Sequence, residues 1–158
     1  MKRVAIAAVI GFTGAAAIAV WAGGKGESLP ALTVLGSPAD AKVVDLGAGL
    51  YADNCASCHG AELEGQPDWR RRLENGRMPA PPHDETGHTW HHADQQIFNI
   101  TKNGVGSVVP GYESDMPVFN GILSDAEITA ILGYIKSTWP ERERDFQAEI
   151  TANNKEGS

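Results

Sequence analysis

The sequence predicts an all-α domain, and three observations carry that prediction. Helically spaced apolar residues with clear start and stop signals occupy both ends of residues 37–140. No stretch alternates apolar and polar residues for long enough to make a useful strand. Between the helical ends stands Cys55-Ala56-Ser57-Cys58-His59, the attachment signature of a c-type haem, a cofactor that short helices and loops can wrap.

Taking the elements in order, Lys2 and Arg3 precede an uncharged run, 4–22, that ends in small residues. This reads as an export signal, although the run is also long enough for a membrane anchor. Its Ala- and Gly-rich content makes it only weakly hydrophobic, which favours the cleaved signal. Residues 23–36, with Gly23-Gly24, Gly26 and Pro30, read as a linker. Ser37-Pro38-Ala39-Asp40 then has the form of a helix start, a hydroxyl cap with proline at the first helical position. Val43, Val44, Gly47, Leu50 and Tyr51 follow helical spacing and lead into Cys55. Short helices are expected over 68–74, stopped by Gly76, and over 93–102, stopped by Asn103-Gly104. Ser124-Asp125-Ala126-Glu127 is a capping box that opens a helix striped by Ile128, Ile131, Leu132 and Ile135 and ended by Pro140. Residues 141–158 are polar and read as a tail prone to fraying. The domain proper is thus expected over 37–140.

The spacing of the pentapeptide follows from haem chemistry. Each thiol adds across one vinyl group on one edge of the macrocycle, and the next residue then offers its imidazole to the iron. A redox dithiol would not need His59. Zinc would need two more close ligands, which only His83, His88, His91 and His92 could supply. A disulfide across so short a span would be strained. The chain has only these two cysteines, and an export segment suits a haem attached outside the cytoplasm. A second axial ligand is needed if the iron is to pass electrons without binding substrate, and a thioether suits that role. Met116, in the loop before the capped helix, lies far enough along the chain to return on the distal face. Met78 follows His59 too closely for that. Trp90 has two readings: its indole N–H donates to a haem propionate, or it packs in the core with that N–H on a carbonyl. The four histidines are read as a solvated loop or helix start rather than as a copper or zinc site or the source of an iron ligand in place of methionine.

From about 37 to 140 the chain resembles a class I cytochrome c. Gly47, Tyr51 and Cys55 match the family's glycine–aromatic–cysteine phrase. Met116-Pro117-Val118-Phe119 is similar to its distal loop, and the stretch from Leu123 to Ile135 to its last helix. The resemblance implies a crossing of the first and last helices at Gly47, against Ile131 and Tyr134. It also implies a proline-loop carbonyl that holds the second ring nitrogen of His59, with Pro81 expected and Pro67 the rival. The implied function is one-electron transfer through a haem edge near Cys55 and Cys58, with no catalysis. The alternatives are a haem sensor or catalytic haem domain with a labile distal ligand, or a haem subunit of a larger oxidoreductase complex.

The formal net charge of −7 becomes −9 once Lys2 and Arg3 leave with the signal. That sign excludes nucleic acid as a partner and favours redox partners with a basic docking surface. The expected setting is the periplasm, either free or tethered to the inner membrane through residues 4–22.

Overall fold

The computed structural model describes residues 31–156. The export segment or anchor and the first part of the linker lie outside the described residues. Within them the chain forms five α-helices and one small hairpin, which is the all-α architecture expected.

Helix α1 (Ala41–Asn54) and helix α4 (Asp125–Thr138) form the central pair. Their crossing is set by glycines on both sides. A Cβ at Gly47 would fall inside the Ala130 carbonyl and 3.0 Å from Tyr134 Cβ, and one at Gly133 would stand 3.1 Å from Ala39 Cβ. Tyr134 is thus the expected neighbour of Gly47, while Ala130 takes the place foreseen for Ile131, which is buried in the core. Tyr51 packs against Tyr134 with ring centroids 5.4 Å apart, and Trp139 closes the end of α4 at 1% exposure. The capping box of α4 is present with both reciprocal bonds: Glu127 N–H donates to Ser124 Oγ, and Ser124 N–H donates to Glu127 Oε2.

The start of α1 differs from expectation. Ser37-Pro38 is the second strand (β2) of a hairpin with Thr33–Val34 (β1), so the cap falls to Asp40. Asp40 Oδ1 accepts from the N–H groups of Lys42 and Val43, each at 3.0 Å. The cause is the two-residue turn Leu35-Gly36, both at positive φ, which folds the chain back before the helix. Val34 is fully buried as a result, so the domain begins inside the expected linker.

No helix forms over 68–74. Asp68 has φ 53°, which interrupts a helix at its start, and Leu73 is 47% exposed, so the segment has no apolar face to bury. It runs instead through hydrogen-bonded turns, with Arg71 N–H on the Asp68 carbonyl. Helix α3 (Asp94–Asn103) appears where expected, ended by Gly104 at positive φ.

The polar stretch after Pro140 is also corrected: it is helix α5 (Glu141–Glu156), held against the domain. Its inner face is polar. Gln147 is completely buried, and its Nε2 donates to Asp94 Oδ1 (2.8 Å) and the His92 carbonyl (3.2 Å). Phe146 packs edge-on to Trp90 at 5.5 Å.

Candidate functional site

The site begins at the end of α1. Tyr51 Oη donates to the Gly60 carbonyl (2.9 Å), tying α1 to the four-residue helix α2 (Ala56–His59). Cys55 caps that helix, and the N–H groups of Cys58 and His59 both donate to its carbonyl (3.1 and 2.9 Å). The two thiols are therefore one turn apart on one piece of helix, and neither is in a disulfide. Before any attachment, burial and then the neighbouring Cys58 push the Cys55 thiol up to about 11, so at neutral pH it is a thiol and not a thiolate.

His59 is buried, and its Nδ1 is 2.8 Å from the Pro81 carbonyl. A carbonyl can only accept, so Nδ1 carries the proton and Nε2 is the nitrogen with a lone pair to offer. Burial lowers the His59 pKa against that bond, which favours the neutral, ligating form. Of the two prolines considered, Pro81 is the one in contact. Its loop is fixed by backbone pairing: Gly65 N–H on the His59 carbonyl (2.7 Å) and Gln66 N–H on the Ala80 carbonyl (2.9 Å). Gly65, at φ 70°, sits so close to Pro81 and Pro82 that a side chain there would collide with their backbone.

Met116 lies in the loop before α4, partly buried against the core cluster, with its N–H on Ser114 Oγ (3.1 Å). The residues after it are anchored on the end of α3, where Phe119 and Asn120 N–H donate to the Thr101 and Lys102 carbonyls. Trp90 is half-buried. Its N–H points at the Glu85 carbonyl (3.3 Å), with the ring against His91 and Phe146.

His83 is the residue whose place the sequence did not reveal. Its ring stacks on His59 with centroids 4.0 Å apart and planes 21° from parallel, and its Nδ1 is 2.8 Å from Thr89 Oγ1. His88 and His92 form a separate edge-on pair at 5.3 Å, with His88 stacked on Trp69. Among the described residues no three His, Cys, Asp or Glu side chains converge as a metal-binding group.

Two unpaired thiols one turn apart, followed by a buried imidazole with Nδ1 already bonded, form the donor set that a covalent haem requires. The comparisons agree. A sequence model of the cytochrome c family matches residues 44–139. The chain belongs to the cytochrome c family. Its cofactor is accordingly one haem c, bound covalently through Cys55 and Cys58. The chain is 31% identical over 108 residues to a cbb3-type cytochrome c oxidase subunit CcoP of Rhodobacter capsulatus. It is 29% identical over 108 residues to a second Rhodobacter capsulatus protein of the same description. Each match covers 67% of this chain and 33% of the relative, so the chain spans about a third of their length. No solved structure matches.

Proposed function

We propose that the protein is a one-electron carrier in a respiratory or photosynthetic chain, with His59 and Met116 as the axial ligands of its haem iron. The observation that carries the reading is the Pro81–His59 bond, which aims a neutral imidazole from the same short helix that holds both thiols. The haem supplies the one-electron chemistry; the chain's residues hold and tune it. Cys55 and Cys58 would fix it covalently, His59 and Met116 would hold the iron and so exclude substrate from it, and the apolar cluster against which Cys55 and Met116 pack would limit solvent reorganisation. No proton donor or substrate pocket is required, so the reading is of a carrier and not an enzyme.

Met116→Leu tests the distal half. The variant should lose the sulfur–iron charge-transfer band of the oxidised spectrum and bind carbon monoxide rapidly when reduced, while the native reduced protein at neutral pH binds none. A band that survives the substitution removes Met116 as ligand. Rapid binding by the native protein moves the reading to a sensor or a catalytic haem domain.

The reading of residues 4–22 as an export segment, together with the covalent haem, supports a place outside the cytoplasm. The net charge of −7 suits a redox partner with a basic docking face. The likeness to an oxidase subunit favours a second reading, a haem subunit or tethered donor of a membrane oxidase complex. Among the described residues no helix is long and apolar enough to cross a membrane; the uncharged run 4–22 is the segment proposed as the tether. Membrane fractionation after a high-salt wash separates the cases: a protein that still pellets is anchored, and one that is released is a free carrier.

A further inference from the structure

His83 lies two residues after Pro81, and its backbone is held from both sides. Its N–H donates to the Leu63 carbonyl (2.7 Å), and its carbonyl accepts the Trp139 indole N–H (2.7 Å). The ring is also held at two points. Nδ1 is on Thr89 Oγ1 at 2.8 Å, and one face covers His59 at 4.0 Å. Tyr51 meets it edge-on at 6.4 Å. His59 is thus constrained twice, at Nδ1 by the Pro81 carbonyl and across its face by a second imidazole. A hydrogen bond at one atom sets where the ring points, and a stacked neighbour sets the plane about that axis.

We propose that His83 is a positioning residue for the iron ligand His59: it fixes the plane of the ligand ring and favours the oxidised state of the iron. This rests on His59 being the ligand. Oxidation adds positive charge that the ligand ring shares, and the electron-rich face of a neutral aromatic ring attracts a cation. A polar ring in place of an aliphatic side chain also stabilises the more highly charged state. Both effects lower the reduction potential.

The test uses the haem-loaded full chain and reads the midpoint potential together with the paramagnetically shifted haem methyl resonances of the oxidised protein. His83→Leu should shift the ferric–ferrous equilibrium two- to tenfold toward the reduced state, a rise of about 20–60 mV at roughly 59 mV per tenfold. It should also change the spread of the methyl resonances, because that spread follows the ligand ring plane. His83→Phe should restore the spread, since it restores the stacked face. Thr89→Val frees the His83 ring without removing it and should change the spread in the same sense; it serves as the readout if His83→Leu does not hold haem. Wild-type potential and methyl spread in a low-spin His83→Leu or Thr89→Val protein would overturn the proposal. A His59→Ala protein that keeps the native low-spin spectrum would remove the ligand assignment, and this inference with it.

Discussion

Lys136 Nζ lies 2.6 Å from Asp94 Oδ1, with only 7% and 3% of the two side chains exposed. The same carboxylate accepts from Leu35 N–H on its other oxygen and from Gln147 Nε2. One side chain at the start of α3 thus joins the hairpin turn, α4 and α5. The Leu35 bond also holds a non-glycine residue at φ 52°. Asp94→Asn should therefore cost about 3–5 kcal/mol in denaturant unfolding, because it removes one charge of a buried ion pair. Adding Lys136→Met should recover part of that loss, since the second buried charge of the pair goes with it. A double variant no more stable than the single one would mean that the pair does not act as a unit.

The two glycines of α1 make opposite predictions. Gly47→Ala drives a methyl group into the Ala130 carbonyl and should destabilise by about 1–3 kcal/mol as α1 and α4 are forced apart. Gly49, one half-turn on, would meet nothing within 4 Å. Gly49→Ala should stabilise by about 0.4–1 kcal/mol through helix propensity and a less flexible unfolded chain. Thermal unfolding of the two proteins side by side decides it: shifts of the same sign would show that Gly47 is not a contact-limited position.

Local rules read the helices well where the decisive partner is a few residues away, as for the Ser124–Glu127 box and the Gly104 stop. They failed where the partner is remote. Ser37-Pro38 carries the form of a helix start, but Leu35-Gly36 turns the chain into a hairpin because Asp94, far along the sequence, takes the Leu35 N–H. Helix α5 has no apolar stripe to read, because its buried side chain is Gln147 and its acceptors are Asp94 and the His92 carbonyl. At the site, the thiols and His59 were legible because haem attachment dictates a contiguous motif, while Pro81, 22 residues on, was marked only by the resemblance to the family. His83 was not, since nothing in its spacing reports that the Pro81 loop returns it onto the face of His59. Only its position two residues beyond the proline could have marked it.

The surface histidines should give the fold a sloping stability below neutrality. Burial first, then His92, His91 and Arg70, lowers the His88 pKa; burial first, then His91, lowers that of His92, against an opposing bond from Gln96. Both groups therefore bind protons less readily folded than unfolded. Their contribution is complete above the ordinary value of 6.5 and is lost as the pH falls through it, because the unfolded chain takes up protons that the fold resists. Denaturant titrations at about pH 7 and about pH 5 should show lower stability at the acid end. The His88→Asn/His92→Asn protein should show a flatter dependence across the same interval. An unchanged slope would place the acid sensitivity elsewhere.

Arg77 reaches from the turn after residue 73 to the loop that carries Met116. Its guanidinium pairs with Asp115, the residue before Met116, and stands 4.0 Å from Glu113 Oε2. These groups are exposed (38% for Arg77, 56% and 79% for the acids), so each pair contributes about 0–1 kcal/mol and is screened by salt. That is too little to decide whether the domain folds, but enough to alter how often a surface loop opens. Arg77→Gln should leave the unfolding free energy within about 1 kcal/mol of the native value. With Met116 as the proposed distal ligand, the detectable change is in ligand access: at low salt the reduced variant should bind carbon monoxide faster than the native protein, by no more than about fivefold. The two proteins should converge as salt is raised, because screening removes from the native protein what the substitution removes from the variant. Equal rates at low salt would mean that the loop is held by its anchors on α3 alone, at the Thr101 and Lys102 carbonyls, and that the ion pair forms without restraining it.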